Sequence, residues 1–265
     1  MTENRSKIKV IAFDLDGTIY NGNQIIEGAN ETIDFFRYSG KEICFFTNNS
    51  SQSRTQIFNK LRKFSINLLE TDVYCCSYAT KIYLKTENFK NVFIVGSEVL
   101  KKEVSCLGIN VFSEKTDSKI DAMLIGLDVD FDYSKLEIAY EVLQLNNHCK
   151  IIVSNIDSSF PVENGLRKPG CGAIASSIFA ASGREYDFMV GKPNSYILNL
   201  IAKEKQILPE EILVIGDSYE SDIHMAKSTN AHSILIDAFG SNDSAGTITV
   251  NCINDAQKIF SKYYF

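Results

Sequence analysis

Two aspartates separated by one residue follow an apolar run near the start of the chain. The run from Ile8 to Phe13 predicts a buried strand, and Asp14, Asp16 and Gly17 come at its end. In an extended segment the two aspartates point to the same side, because side chains alternate. Two carboxylates this close repel each other unless a cation or a shared proton intervenes. Taken alone, the pair is equally compatible with a turn in which Asp caps the backbone.

Two further polar segments follow predicted strands. Thr47 and Asn48 open the segment Thr-Asn-Asn-Ser, which offers hydroxyl, amide and backbone N–H groups to an anion. The alternative is that this segment caps a helix predicted from Gln52. Lys192 stands in Gly-Lys-Pro between a predicted strand and a predicted helix. A lone lysine is more typical of a solvated surface charge.

Two more acids, Asp217 and Asp222, follow the most apolar predicted strand, at 212–215. Asp222 alone is also compatible with a favourable charge in the first turn of a helix predicted at 220–228. In an open α/β sheet, ligands bind outside the carboxyl ends of the strands. We therefore expect both acids to converge with Asp14 and Asp16 at one sheet edge.

A hard divalent cation would relieve the repulsion among four converging carboxylates, and oxygen-only ligands suit Mg²⁺. The cation and Lys192 would supply positive charge, and Thr47 with the amides near Asn48 would supply neutral donors. The complementary ligand is a compact anion with several acceptor oxygens, and a phosphate fits. A carboxylate can attack a phosphate only where such charges offset their mutual repulsion.

Strand and helix patterns alternate along the 265 residues, which predicts an α/β fold with parallel sheets. The net charge of −6 and the lack of a basic run argue against a nucleic-acid partner. No apolar run approaches the ~20 residues that cross a bilayer, so no membrane partner is expected. The polar start and seven scattered cysteines predict a cytoplasmic protein with reduced thiols and no zinc site.

In combination, these motifs resemble the haloacid dehalogenase superfamily of phosphatases. The matching residues occur in the family's order: Asp14-Leu15-Asp16-Gly17-Thr18, Thr47 with Asn48, Lys192, and Gly216-Asp217 with Asp222. The resemblance narrows to subfamily IIA, the 4-nitrophenylphosphatase-like and nucleotide-monophosphatase-like branch. Typical of that branch are Thr-Asn-Asn-Ser, Asn155-x-Asp157, Pro161, and Pro169-Gly170-x-Gly172-Ala173.

This resemblance implies a Rossmann-like parallel-sheet core with an inserted α/β cap domain. The core would comprise residues 1–78 and 187–265, and the cap residues 79–186. Caps of this branch often mediate homodimers, so a homodimer through the cap is a further expectation. Pyridoxal-phosphate phosphatases of this branch should carry a polar His before the cap-loop proline, whereas Phe160 stands there, which weakens that substrate assignment.

The resemblance also implies roles for the matching residues. Asp14 would be the nucleophile that forms an aspartyl-phosphate, and Asp16 would be the general acid and base. Mg²⁺ would be held by the Asp14 side chain, the Asp16 carbonyl and Asp217. Asp222 would orient waters or the lysine. Phosphoryl oxygens would be bound by Thr47, Asn48 and Lys192.

The implied activity is Mg²⁺-dependent hydrolysis of a small phosphorylated metabolite, such as a sugar phosphate, a nucleotide or 4-nitrophenyl phosphate. A dehalogenase is disfavoured, because it needs no Mg²⁺ and would leave Asp16 and Asp217 unexplained. A phosphotransferase or mutase and a non-catalytic phospho-ligand sensor remain alternatives. In the cap, Asn155 and Asp157 are expected to face the substrate, with a simple turn as the alternative.

Overall fold

The computed structural model describes residues 8–162, 166–238, 240 and 247–263. The chain divides into two compact units. The first is Met1–Thr47, Phe58–Tyr74 and Lys192–Phe265, and the second is Asn48–Ile57 and Cys75–Gly191. The second unit contains the predicted cap segment 79–186 and also residues 48–57, 75–78 and 187–191, which the sequence analysis had assigned to the core. In the described part of the chain, no helix is long and apolar enough to cross a membrane.

The strands are, in chain order, β1 Val10–Asp14, β2 Tyr20–Asn21, β3 Gln24–Ile25, β4 Glu42–Thr47, β5 Val73–Cys75, β6 Asn91–Val95, β7 Asn110–Phe112, β8 Ala122–Ile125, β9 Lys150–Val153, β10 Ser159–Pro161, β11 Arg167–Pro169, β12 Phe188–Met189, β13 Ile212–Gly216, β14 His232–Ile236 and β15 Ile248–Val250. The helices are α1 Ala29–Tyr38, α2 Arg54–Lys63, α3 Cys76–Glu87, α4 Glu98–Ser105, α5 Tyr133–Leu145, α6 Cys171–Ser182, α7 Tyr196–Lys205, α8 His224–Ser228 and α9 Asp255–Tyr263.

The first unit is built on a six-stranded sheet with the order β15-β14-β13-β1-β4-β5. The central strand β1 runs parallel to both β13 and β4, with Asp14 opposite Phe46. Every residue of β1 is buried, which explains its uninterrupted apolar sequence up to the aspartate. The carboxyl ends of β1, β4 and β13 therefore lie at one edge of the sheet, and the predicted Rossmann-like arrangement is confirmed.

The second unit has its own five-stranded sheet, with the order β12-β9-β8-β6-β7. All of its neighbouring strands are parallel. Apolar side chains of α5 and α6, among them Val142 and Ile178, belong to one core with Ile125 and Val153 of the sheet. The predicted inserted α/β domain thus has a hydrophobic core of its own.

Several details differ from the sequence-based expectations. The predicted start of α2 at Gln52 is wrong, because Ser53 caps the helix instead: its Oγ accepts from Gln56 N at 3.2 Å, and Gln56 Oε1 accepts from Ser53 N at 2.8 Å. The expected helix 220–228 begins with a π-helical turn at Tyr219–Ile223. Strands β5, β7 and β15 and the hairpins β2–β3 and β10–β11 were not predicted, because two or three residues are too few to show a periodicity.

Candidate active site

A buried ion cluster centred on Lys192 lies at the carboxyl ends of β1 and β13. Lys192 Nζ is 2.6 Å from Asp14 Oδ1 and 2.6 Å from Asp222 Oδ1. The three residues are only 5%, 3% and 0% exposed, respectively. Charged groups are buried to this degree only when they are paired. The structure therefore excludes the interpretation of Lys192 as a solvated surface charge.

Both carboxylate oxygens of Asp222 are engaged. Oδ1 accepts from Lys192, and Oδ2 accepts from the backbone N–H of Ser218 at 3.1 Å. Asp222 lies in the π-helical turn at Tyr219–Ile223. This turn brings its carboxylate within hydrogen-bond distance of the N–H of Ser218, four residues earlier in the chain. These contacts hold the carboxylate against the lysine ammonium group.

Asp217 completes a set of three converging acids. One carboxylate oxygen from each of Asp14, Asp217 and Asp222 lies within 4.8 Å of the others. The Asp217 side chain packs against Gly17, and only a residue without a side chain leaves room for it, because a Cβ built on Gly17 would lie 2.1 Å from Asp217 Oδ2. Its φ of +92° also belongs to the left-handed region that favours glycine. The expected convergence of Asp14, Asp217 and Asp222 is present, and their oxygens form a donor set that could hold a hard cation.

Burial and neighbouring carboxylates raise the pKa values of Asp14 and Asp217. Burial raises the pKa of Asp14 well above its usual range; Lys192 opposes this, and Asp222 and Asp217 add to it. Burial and then Asp222 raise the pKa of Asp217 to about 7. Burial alone would lower the pKa of Lys192, but Asp14 and Asp222 outweigh it and hold that pKa above its usual value. When all three carboxylates are ionised, their negative charge exceeds what one lysine offsets, and a cation would relieve the repulsion.

Asp16 lies in a different environment from Asp14. Burial raises its pKa, and Lys60 is the largest opposing influence. Its carboxylate accepts a long hydrogen bond from the Tyr20 hydroxyl, at 3.5 Å, and another from the side chain of Thr47. A half-buried acid whose pKa is raised retains a proton more readily, which suits a general acid.

Tyr20 and Lys60 were missed by the sequence analysis. Lys60 Nζ lies 3.5 Å from the centroid of the Tyr20 ring, within the range of a cation–π contact. Tyr20 follows Asp16 by four residues in a tight loop in which Gly17 N donates to Tyr20 O. That spacing was available in the sequence, whereas no sequence pattern connects Lys60 on α2 to this loop.

In the second unit, Asn48, Asn155 and Asp157 form one hydrogen-bonded group. Asn48 Nδ2 donates to Asp157 Oδ2 at 2.9 Å, and Asn155 Nδ2 donates to Asn48 O at 2.8 Å. Asp157 N donates to Asn155 Oδ1 at 3.1 Å. That Asn155 and Asp157 face the substrate stays a prediction. Part of the loop that carries them, 163–165 with Gly165, lies outside the described residues.

Known proteins are similar to most of this chain. Residues 11–110 match the model of the haloacid dehalogenase-like hydrolase family, and residues 189–246 match that of a HAD-hydrolase-like family. An acid sugar phosphatase of Staphylococcus epidermidis is 33% identical over 211 residues, which cover 79% of each chain. This chain belongs to the haloacid dehalogenase superfamily.

Two further comparisons place the chain within that superfamily. The chloroplastic phosphoglycolate phosphatase 1A of Arabidopsis thaliana is 27% identical over 248 residues, covering 86% of this chain and 68% of the relative. The solved 4-nitrophenylphosphatase of Thermotoga maritima matches with a TM-score of 0.84 and 25% identity, covering 95% of this chain and 97% of that one. The resemblance to the haloacid dehalogenase phosphatases of subfamily IIA is thereby confirmed, and the chain is an enzyme of that hydrolase branch.

Proposed function

We propose that this haloacid dehalogenase-family enzyme is a Mg²⁺-dependent phosphatase that hydrolyses small phosphate monoesters through an aspartyl-phosphate on Asp14. The observation that carries the proposal is the convergence of three carboxylates within 4.8 Å, two of them paired with the buried Lys192. Burying these charges costs stability, and such groups cluster at functional sites. It matches the needs of a carboxylate that must attack an anion.

The residues present fit a bound Mg²⁺. The converging donors are carboxylate oxygens, and the pKa of Asp217 is raised to about 7 by burial and by Asp222, which a cation would reverse. The Asp14 side chain, the Asp16 carbonyl and the Asp217 side chain would hold the ion. When bound, it would supply positive charge that lets two anionic groups approach each other. Because both oxygens of Asp222 are engaged, this residue would orient Lys192.

In the first step, Asp14 attacks the phosphorus atom and the ester P–O bond breaks. Asp16 donates its proton to the departing oxygen, so that an alcohol leaves and an aspartyl-phosphate remains. Lys192 and the groups at Thr47 and Asn48 bind the phosphoryl oxygens during this transfer. The raised pKa of Asp16 supports its role as the proton donor.

In the second step, Asp16 takes a proton from a water molecule, which attacks the phosphorus of the aspartyl-phosphate. The bond to Asp14 breaks, inorganic phosphate leaves, and both carboxyl groups return to their starting states. The side chain of Thr47 hydrogen-bonds to Asp16, so the end of β4 would serve the acid–base group through this hydroxyl and the phosphoryl oxygens through backbone N–H groups.

The substrate class is a small phosphorylated metabolite. The names of the relatives, an acid sugar phosphatase and a phosphoglycolate phosphatase, support small anionic esters. We propose a cytoplasmic location, supported by seven free cysteines, and a homodimer through the second unit. Neither a nucleic acid nor a membrane is proposed as a partner.

Purified protein incubated with 4-nitrophenyl phosphate and a panel of sugar phosphates, with Mg²⁺ or with excess chelator, tests this function. Mg²⁺-dependent release of free phosphate is the expected result. Transfer of the phosphoryl group to a hydroxyl acceptor without free phosphate would indicate a phosphotransferase. Full activity in chelator would exclude the metal assignment, and binding without turnover would indicate a sensor.

A further inference from the structure

The segment that follows strand β9 is hydrogen-bonded to Asn48, one of the predicted phosphate-binding residues. The side-chain amide of Asn48 donates to Asp157 Oδ2 at 2.9 Å, and the backbone carbonyl oxygen of Asn48 accepts from Asn155 Nδ2 at 2.8 Å. Asn48 and Asn155 are only 8% and 5% exposed. An ionised carboxylate only accepts hydrogen bonds, so Asp157 also determines which end of the Asn48 amide faces it.

The same segment is also hydrogen-bonded to Gly191, the residue before Lys192. Gly191 N donates to Ser154 O at 2.7 Å. A Cβ on Gly191 would lie 2.5 Å from Asn48 Oδ1 and 2.6 Å from Ser154 O. The segments at 48, 154–157 and 191 are therefore packed without room for an added methyl group.

We propose that Asn155 and Asp157 are positioning residues that hold Asn48, and with it the phosphate-binding segment after β4, in its binding geometry. This inference rests on the proposed phosphatase function. It replaces contact with the leaving group as the role of the two side chains. Asp157 Oδ2 and both polar atoms of the Asn155 side chain are hydrogen-bonded within this group. Misplacing a binding group by a fraction of an ångström weakens the interactions that it makes.

A positioning role and a leaving-group contact have different consequences. Asn48 acts on the phosphoryl group, which every monoester shares. Loss of Asp157 should therefore weaken the binding of all phosphate monoesters, and of inorganic phosphate itself, by one common factor. A contact with the leaving group would instead change the ranking of substrates and leave inorganic phosphate unaffected.

The experiment compares Asp157→Ala, Asp157→Asn and Asn155→Ala with the wild type. KM and kcat are measured for 4-nitrophenyl phosphate and two sugar phosphates, and phosphate binding by calorimetry with Mg²⁺ present. We expect Asp157→Ala and Asn155→Ala to raise every KM and the phosphate Kd roughly tenfold, the range of a lost hydrogen bond to a charged group. Asp157→Asn keeps an acceptor oxygen and should recover at least half of the loss.

A double variant provides the sharper test. If Asp157 acts through Asn48, then Asn48→Ala combined with Asp157→Ala should bind phosphate no more weakly than Asn48→Ala alone. Ser158→Ala is the matched control, because this neighbour is exposed and, among the described residues, is hydrogen-bonded only through its backbone carbonyl, to Gly170 N. Melting temperatures establish that each variant is folded.

The outcomes separate this inference from the proposed function. A wild type without Mg²⁺-dependent hydrolysis would refute the phosphatase proposal. An active wild type with substrate-dependent losses in Asp157→Ala, or with an unchanged phosphate Kd, would refute the positioning role. Additive losses in the double variant would refute it as well.

Discussion

Lys192 Nζ lies 2.6 Å from Asp14 Oδ1, and the two residues are 178 positions apart in the chain. Both side chains are almost completely buried. The proposed nucleophile is thus held against a cation before any substrate arrives. Burial raises the pKa of Asp14, and Lys192 opposes this rise, so the pairing shifts the group back towards the ionised carboxylate that can attack phosphorus.

We expect Asp14→Asn to abolish turnover while the protein remains folded, because the amide has nearly the same size but is a poor nucleophile. The rate of 4-nitrophenyl phosphate hydrolysis should fall by at least about a thousandfold. The control is Asp34→Asn on α1, whose carboxylate is 57% exposed and which should retain full activity. Substantial residual activity in a clean Asp14→Asn preparation would exclude Asp14 as the nucleophile.

Lys192→Met should lose stability as well as activity, because it leaves Asp14 and Asp222 buried without their cation. Breaking such a buried pair costs about 3–5 kcal/mol. Without the lysine the pKa of Asp14 rises further, so the folded state binds more protons than the unfolded state. The variant should therefore be most destabilised above this raised pKa and less so in acid.

Melting temperatures of metal-free Lys192→Met and wild type, compared at about pH 5 and about pH 8, measure this effect. Lys115→Met is the control, since its ion pair with Glu141 is also 2.6 Å long but its lysine is 70% exposed. That variant should leave the melting temperature almost unchanged at either pH, because an exposed ion pair is screened by solvent. If Lys192→Met lowered the melting temperature equally at both pH values, Lys192 would not act by pairing with the charges of Asp14 and Asp222.

Mg²⁺ should raise the melting temperature more at about pH 8 than at about pH 5. In the metal-free protein the pKa of Asp217 is raised to about 7 by burial and then by Asp222. The stability associated with its proton is present in acid and is lost as the pH rises through that value. A cation competes with this proton and stabilises the ionised form. A Mg²⁺-induced shift that is independent of pH would argue against Asp217 as a ligand.

Gly17→Ala should weaken Mg²⁺ binding beyond its cost in stability. The added Cβ would lie 2.1 Å from Asp217 Oδ2, so the carboxylate must move. Gly40→Ala is the matched control, because Gly40 has a comparable φ of +74° but no atom within 4 Å of an added Cβ. Calorimetric titration with Mg²⁺ should show a loss of affinity in Gly17→Ala alone. Equal affinities in the two variants would show that the approach of Asp217 to this loop is not needed.

The sequence by itself determined the fold class and the chemical character of the site. The uninterrupted apolar run of β1 is sufficient to identify a strand buried on both faces. Parallel strands present their carboxyl ends at one edge, so the positions of Asp14, Thr47 and Asp217 after three strands predicted that they would lie close together. These inferences need only local periodicity and the rules of α/β connection.

Only the tertiary structure decided which side chains are bonded to one another. That Lys192 bridges Asp14 and Asp222, that Lys60 stacks on Tyr20, and that Asp157 holds Asn48 depend on strand register and helix packing. Hydrophobic periodicity reports which face of one element is buried, and it carries no information on what a distant element places against that face. A pairing across 178 residues is therefore set by the packed sheet and not by any local pattern.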